Sequence, residues 1–330
     1  MLQNGSNILL TSTEAAELWI EYMGNSLSKL MFKHFTQTVQ DVQVKRVAQL
    51  GLQTAQKVEQ EVSQILRGDN YPMPTAYTDQ ELLGKTRLYP DTFCLYYARH
   101  MGRLGMPALA NCARSDVRAA FRRWLGYADD LHELAAQTLL EKGLYIRPPY
   151  IPVPEKTETA EGDVMGGLLG EKRPLFATEV TNLFPNMQTN VLGVNLITGF
   201  AQVAQERTLC EYFLRGMEIA KKHIYFFREL IAASDVQSPM TWDANVTLET
   251  ESPFSDRLML GHIVSLAGMG LGNYGAAIAA SMRTDLVATY LRLGAEIAKY
   301  LADGTNLMIE RGWLEIPPHA VDRRELALSR

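Results

Sequence analysis

The most regular pattern in the chain is a stripe of apolar or small residues at three- and four-residue spacing: Val44, Ala48, Gly51, Ala55, Val58, Val62 and Ile65. That period lays one apolar face along an α-helix and leaves polar residues around the rest of it. The stripe returns as Leu209, Phe213, Gly216, Ala220, His223, Phe227 and Leu230, with a histidine where the first has Val58. Ahead of the first stripe, Thr11-x-x-Glu14 has capping-box spacing, so hydroxyl and carboxylate each satisfy a backbone N–H that the first helical turn leaves unpaired. The helix it opens runs to about Val39. Polar connections follow the two stripes, from about Arg67 to Pro90 and from about Ser234 to Pro253, and connections this long in a compact domain cross it. A third and a fourth helix come next in each case. The fourth ends at Gly143 and at Gly312, with Lys142 and Arg311 complementing the carboxyl-end dipole and prolines just beyond.

These parallels come from a duplication. At an offset of 165 residues Glu14 meets Glu179, Asn25 meets Asn190, Phe35 meets Phe200, Gly51 meets Gly216, Pro74 meets Pro239 and Asp91 meets Asp256. Near the end of the third helix the offset becomes 169, so four residues are inserted in the second copy. Arg114-Ser115-Asp116 then meets Arg283-Thr284-Asp285, and Pro148-Pro149 meets Pro317-Pro318. So many matches in one register, rare glycines and prolines among them, mark a tandem repeat. Four helices per copy, joined short, long and short, predict an all-α chain of two tandem ferritin-like four-helix bundles. A cytokine-like bundle needs two long crossovers, whereas helices one and two here nearly touch in sequence. The first bundle is placed at 1–149, a linker at 150–174 and the second bundle at 175–330. The linker holds Pro152, Pro154 and Pro174, several acids and the loose run Gly166–Gly170.

Composition narrows the classes of function. The 330 residues are 47% hydrophobic and 21% charged, with 32 basic against 37 acidic side chains and a formal net charge of -5. The chain is too apolar for disorder and too evenly charged to trap nucleic acid. Cys94, Cys112 and Cys210 sit among apolar neighbours and form no paired framework, which predicts a reducing, intracellular setting. The first residues lack the basic start and apolar run of a signal peptide. Leu258 to Ala280 approaches membrane length, interrupted by His262, Ser265, Asn273 and Tyr274 and carrying Gly268-x-x-x-Gly272. No other segment could partner it in a bilayer, so the expectation is a buried helix of a soluble bundle and no membrane span.

A ferritin-like bundle does its chemistry through inward carboxylates and Glu-x-x-His pairs. No Glu-x-x-His occurs; the nearest spacing is Asp129-x-x-His132, and its second-copy counterparts are Ala298 and Leu301. A standard di-iron site is therefore not expected in either bundle. No catalytic residue is assigned and no cofactor is expected. A metal ion is the alternative, with His223, His262, His100, His132 and Asp129 as candidate ligands. His223 matters most, since it occupies an apolar stripe, where a satisfied core histidine is the bland reading and a ligand or pH-sensitive group the sharp one. Asn25 and Asn190 sit at equivalent places in the two first helices and read as register-setting hydrogen bonds, or as polar groups for a ligand. Glu296, Lys299 and Asp303 read as a solvated charged face. Nucleotide loops, Cys-x-x-Cys and the Gly-x-Ser-x-Gly elbow are absent from the sequence.

Several segments carry a resemblance: Asp91–Tyr97, Ala113–Arg118, Tyr150–Lys156, Tyr212–His223, Ser238–Asp243 and Gly272–Gly275. Over essentially the whole chain they resemble an uncharacterised, duplicated family of spore-forming bacteria, classed by fold with ferritin-like proteins and similar to coat-F type spore-coat proteins. The resemblance implies two ferritin-like bundles, a cytosolic or spore-associated location and no assigned reaction. It also implies a Lys-His-Ile motif in the second helix of both copies. This sequence keeps Lys222-His223-Ile224 but has Lys57-Val58-Glu59 in the first. The expected role is a non-catalytic structural or interaction protein, with protein partners or copies of itself meeting through the glycine-rich third helices. The alternative is a metal-binding protein or oxidoreductase with a non-standard site in one bundle.

Overall fold

A computed structural model describes residues 8–101, 107–160, 164–166, 172–234 and 246–328. The first copy contains α1 (Ser12–Thr38), α2 (Val42–Gly68), a 3₁₀ turn (Asp79–Glu81), α3 (Asp91–Met101), α4 (Pro107–Asn111) and α5 (Ser115–Glu141). The second contains α6 (Ala177–Val203), α7 (Arg207–Ala232), α8 (Asp256–Ala280) and α9 (Thr284–Glu310), followed by α10 (Arg323–Leu328). The chain is all-α and duplicated. Within the first copy α1 packs along α2, and α5 against α2 and α3; within the second α6 packs along α7, α8 along α9, and α6 also meets α8. The third helix of the first copy, expected as one element, is described as α3 and α4. The Ser238–Asp243 segment, Pro239, and Gly167–Gly170 of the linker lie outside the described residues.

Local signals fix the helix ends as the sequence implies. Thr11 Oγ1 accepts the Glu14 N–H at 3.2 Å while Glu14 accepts the Thr11 N–H at 2.9 Å. Gly143 and Gly312 close α5 and α9 in the left-handed region at φ 67° and 66°, a conformation that costs glycine least. The stripe of α2 is buried from Val44 to Val62 but then turns to Leu66, and that of α7 to Ile231, leaving Ile65 and Leu230 partly exposed. Both sequences offer apolar residues at +3 and +4, and the 3.6-residue turn selects the latter here.

The Glu14 carboxylate, fully buried, also accepts the N–H groups of Ala113 and Arg114 at 2.9 and 2.7 Å, tying the start of α1 to the start of α5. Glu179 repeats this on Met282 and Arg283 at 3.2 and 3.1 Å. Asp91 holds the N–H groups of Gln40 and Asp41, and Asp256 those of Gln205 and Glu206. Lys142 pairs with Asp41 and Arg311 with Glu206, so the two basic residues at the helix ends pair with the start of the second helix as well as facing their own dipole.

The two copies share one core. A continuous apolar cluster joins Leu30, Phe35, Phe93 and Tyr97 of the first copy to Leu196, Phe200, Leu258 and Ile263 of the second. The crossover of each copy reaches over the other. Leu83 donates to the Pro253 carbonyl at 2.9 Å and Thr247 to the Leu88 carbonyl at 3.1 Å. His34 meets Phe254 with ring centroids 4.7 Å apart. At the equivalent place Tyr89 lies over Gly199 and donates its hydroxyl to the Leu196 carbonyl at 2.8 Å.

The apolar segment beginning at Leu258 does not form a buried helix throughout. Leu258 to Ile263 are in the shared core, but only 17% of the most apolar 18-residue window of α8 is buried. By length and composition alone this helix could cross a membrane. Beyond Val264 much of its length is glycine and alanine, which leave little apolar surface that a partner must cover.

Candidate functional site

Four polar residues inside the second copy meet in one chain of hydrogen bonds. Asn190 Nδ2 on α6 donates to the Tyr274 hydroxyl on α8 at 2.9 Å. That hydroxyl lies 3.0 Å from Nδ1 of His223 on α7, and His223 Nε2 lies 3.0 Å from Glu296 Oε2 on α9. All four helices of the copy thus contribute one residue. Glu296 is also engaged by the Lys222 ammonium. The donors order the chain: Asn190 to Tyr274, Tyr274 to His223, and the remaining His223 N–H to Glu296.

Its electrostatics follow from burial. His223 and Tyr274 are 0% and 1% exposed. Burial lowers the His223 pKa against the pull of Glu296, which keeps the ring neutral, and burial pushes the Tyr274 phenol well above its ordinary range. Desolvation raises the Glu296 carboxyl too, but the hydrogen bonds of Lys222 and His223 outweigh it and hold the group below its usual value. Glu296 therefore is not part of a solvated face, as expected from the sequence. Lys299 is exposed, and Asp303 pairs with Arg215 at 2.8 Å. The Glu–His–Tyr order satisfies polar atoms that would be costly to bury unpaired. Around Tyr274 the walls are Phe227 and Tyr290, each with its ring centroid 5.5 Å away, which leaves a packed aromatic cluster beside the phenol.

The other candidates do not converge on this chain. His262 is 2% exposed in the shared core against Tyr97 and Phe200, with Nδ1 unpartnered, and burial lowers its pKa to about 3. His34, which the sequence reading did not single out, is in the same situation at about 4. His132 Nδ1 bonds the Arg99 carbonyl at 2.9 Å, Asp129 is exposed, and His100 is half-buried at the end of α3. Among the described residues no group of three His, Cys, Asp or Glu side chains is placed to hold a metal ion. Asn25 donates to the Glu21 carbonyl at 2.8 Å and to its carboxylate at 3.0 Å. Burial raises Glu21 to about 7, helped by Glu17 and opposed by Asn25. The sequence held one signal for the relay: Tyr274 is the one aromatic residue from Met259 to Ala280, three turns below His262.

The family model described as "Protein of unknown function (DUF3231)" matches this chain twice, over residues 1–157 and 163–326. No curated protein matches it. Among solved structures, a Bacillus halodurans C-125 protein provisionally described as a spore coat protein is 18% identical, with a TM-score of 0.42, covering 46% of this chain and 98% of its own.

Proposed function

This chain belongs to the family of unknown function DUF3231, carried here in two copies, and from that premise we propose that it is a non-catalytic structural protein of ferritin-like topology whose work is done by its surface. The observation that carries this reading is α8. It is the most apolar long helix described, yet only 17% of its most apolar stretch is buried. Its outer side presents Ser265, Met269, Gly272, Asn273, Ala276 and Ala279. No Asp, Glu, Lys or Arg stands from Leu258 to Ala280, so nothing electrostatic opposes the approach of an identical surface. Small residues let two helices come close, and a twofold pair of identical faces closes without leaving a free end. The partner in this reading is a second copy of the chain. A membrane crossing would instead require withdrawing Leu258 to Ile263 from the core. The sequence resemblance to coat-F type proteins makes the spore, or the cell that forms it, the proposed place of action.

Met269 is 47% exposed on this face. A Met269→Cys variant oxidised in dilute solution should give a disulfide-linked dimer through the new thiol. Absence of that dimer, with the thiol freely labelled by a maleimide, would remove the reading.

A further inference from the structure

The two copies differ at one end in a way that points to a ligand. In the second copy Asp285 pairs with Arg283 at 2.7 Å and is also reached by the Lys172 ammonium at 3.3 Å. With that lysine in place the Asp285 side chain is 10% exposed. The first copy repeats the arginine and the acid. Arg114 holds Asp116 at 2.8 Å, and its Nη1 reaches the Ile8 carbonyl as Arg283 Nη1 reaches that of Arg173. The residue aligned with Lys172, however, is Asn7, and the Asp116 side chain is 53% exposed. An open cleft of about 610 Å³ stands beside it.

The lining of that cleft is specific to the first copy. Asp69, where the second copy has Ser234, makes a two-point pair with Arg114, both contacts at 2.7 Å. Glu61, where the second copy has Phe226, is held by Arg123 and by the Trp124 indole N–H at 3.1 Å. Among the described residues three carboxylates therefore face two guanidinium groups, an excess of one negative charge, while Ile8 and Ile65 line the same cleft with apolar surface. We infer that this cleft binds a primary alkylammonium group, which takes at Asp116 the place that Lys172 takes at Asp285. The ammonium completes the charge balance and its methylene stem lies on Ile8 and Ile65. The amine comes either free, as a linear diamine, or as a lysine side chain of a partner protein.

Calorimetric titration of the full chain distinguishes these. Cadaverine stands for the free diamine, Nα-acetyl-lysine N-methylamide for the lysine side chain, and 1,5-pentanediol is the uncharged control. One amine per chain should bind in the millimolar range or tighter, and the diol should not bind. Cadaverine binding alone identifies a free amine, and equal or tighter binding of the lysine derivative identifies a partner's side chain. Asp116→Asn should weaken binding at least about tenfold, the loss of one charge-assisted contact, while Asp285→Asn should leave it unchanged. Because Asp116 also holds Arg114, a second variant, Ala119→Lys, places the chain's own ammonium one turn from Asp116 and should abolish binding while every residue of that network is kept. No saturable binding of either amine, or binding that both first-copy variants leave intact, would overturn the assignment.

Discussion

Tyr97 and His262 occupy equivalent positions in the two copies, and their rings meet edge to face with centroids 5.6 Å apart. Residues related by the internal repeat touch each other only where the axis relating the copies passes between them. The duplication is therefore folded as an internal pair: Phe35 and Phe200, Asp91 and Asp256, and the two crossovers take equivalent places about this contact. His262 brings to it a titratable nitrogen without a partner.

That nitrogen makes the protein sensitive to acid. His34 and His262 are held neutral by burial at about 4 and about 3, below the 6.5 of a free imidazole. Each stabilises the fold fully above pH 6.5, and that contribution is lost as the pH falls toward the folded value, because only the unfolded chain takes up the proton readily. Each should cost up to about 1.4 kcal/mol per pH unit in that window. Urea unfolding should show the wild type losing stability between pH 7 and pH 5 more steeply than His262→Phe, with Glu21, raised to about 7, contributing the opposite slope to both.

The carboxylate clamps at the helix starts should be equivalent in the two copies. Glu14→Gln and Glu179→Gln each turn an acceptor toward buried N–H groups into a donor, and each should cost about 2–3 kcal/mol. Thermal unfolding should fall by roughly 5 °C for each. A loss confined to one of them would show that the copies are not held alike.

Close contact between the copies can be tested at Gly199. A Cβ there would stand 2.5 Å from the Tyr89 hydroxyl. Gly199→Ala should destabilise the whole chain by about 1–3 kcal/mol. Tyr89→Phe in the same chain should recover little of that, since the ring atoms Cε1 and Cζ would still stand 2.7 Å from the new Cβ.

The hydrogen-bond chain of the second copy is expected to be structural. Tyr274→Phe leaves Asn190 with only the Asn186 carbonyl as acceptor and His223 Nδ1 without its donor, and should cost about 1–2 kcal/mol. Metal content after tag-free purification should be the same for wild type and for His223→Ala; stoichiometric metal that His223→Ala abolishes would favour the alternative reading of the second copy.

Helix positions, caps and the duplication were legible because they rest on local chemistry: a capping box, a 3.6-residue stripe, a glycine with positive φ. The relay was half legible. His223 stood out against Val58, but Glu296 read as solvated because its partners lie on another helix 73 and 74 residues away. The outward face of α8 was misread because an uncharged run of small residues reads as core whether or not anything covers it. The union of the copies was not legible, since Tyr97 and His262 share no chemistry that would announce their contact.

The most direct test of the account is sedimentation equilibrium of the intact protein beside Ala276→Glu, which places a charge on the outward face of α8. The wild type should self-associate reversibly, and the variant should abolish this without loss of helix content. A wild type that remains monomeric at every concentration, indistinguishable from the variant, would contradict it.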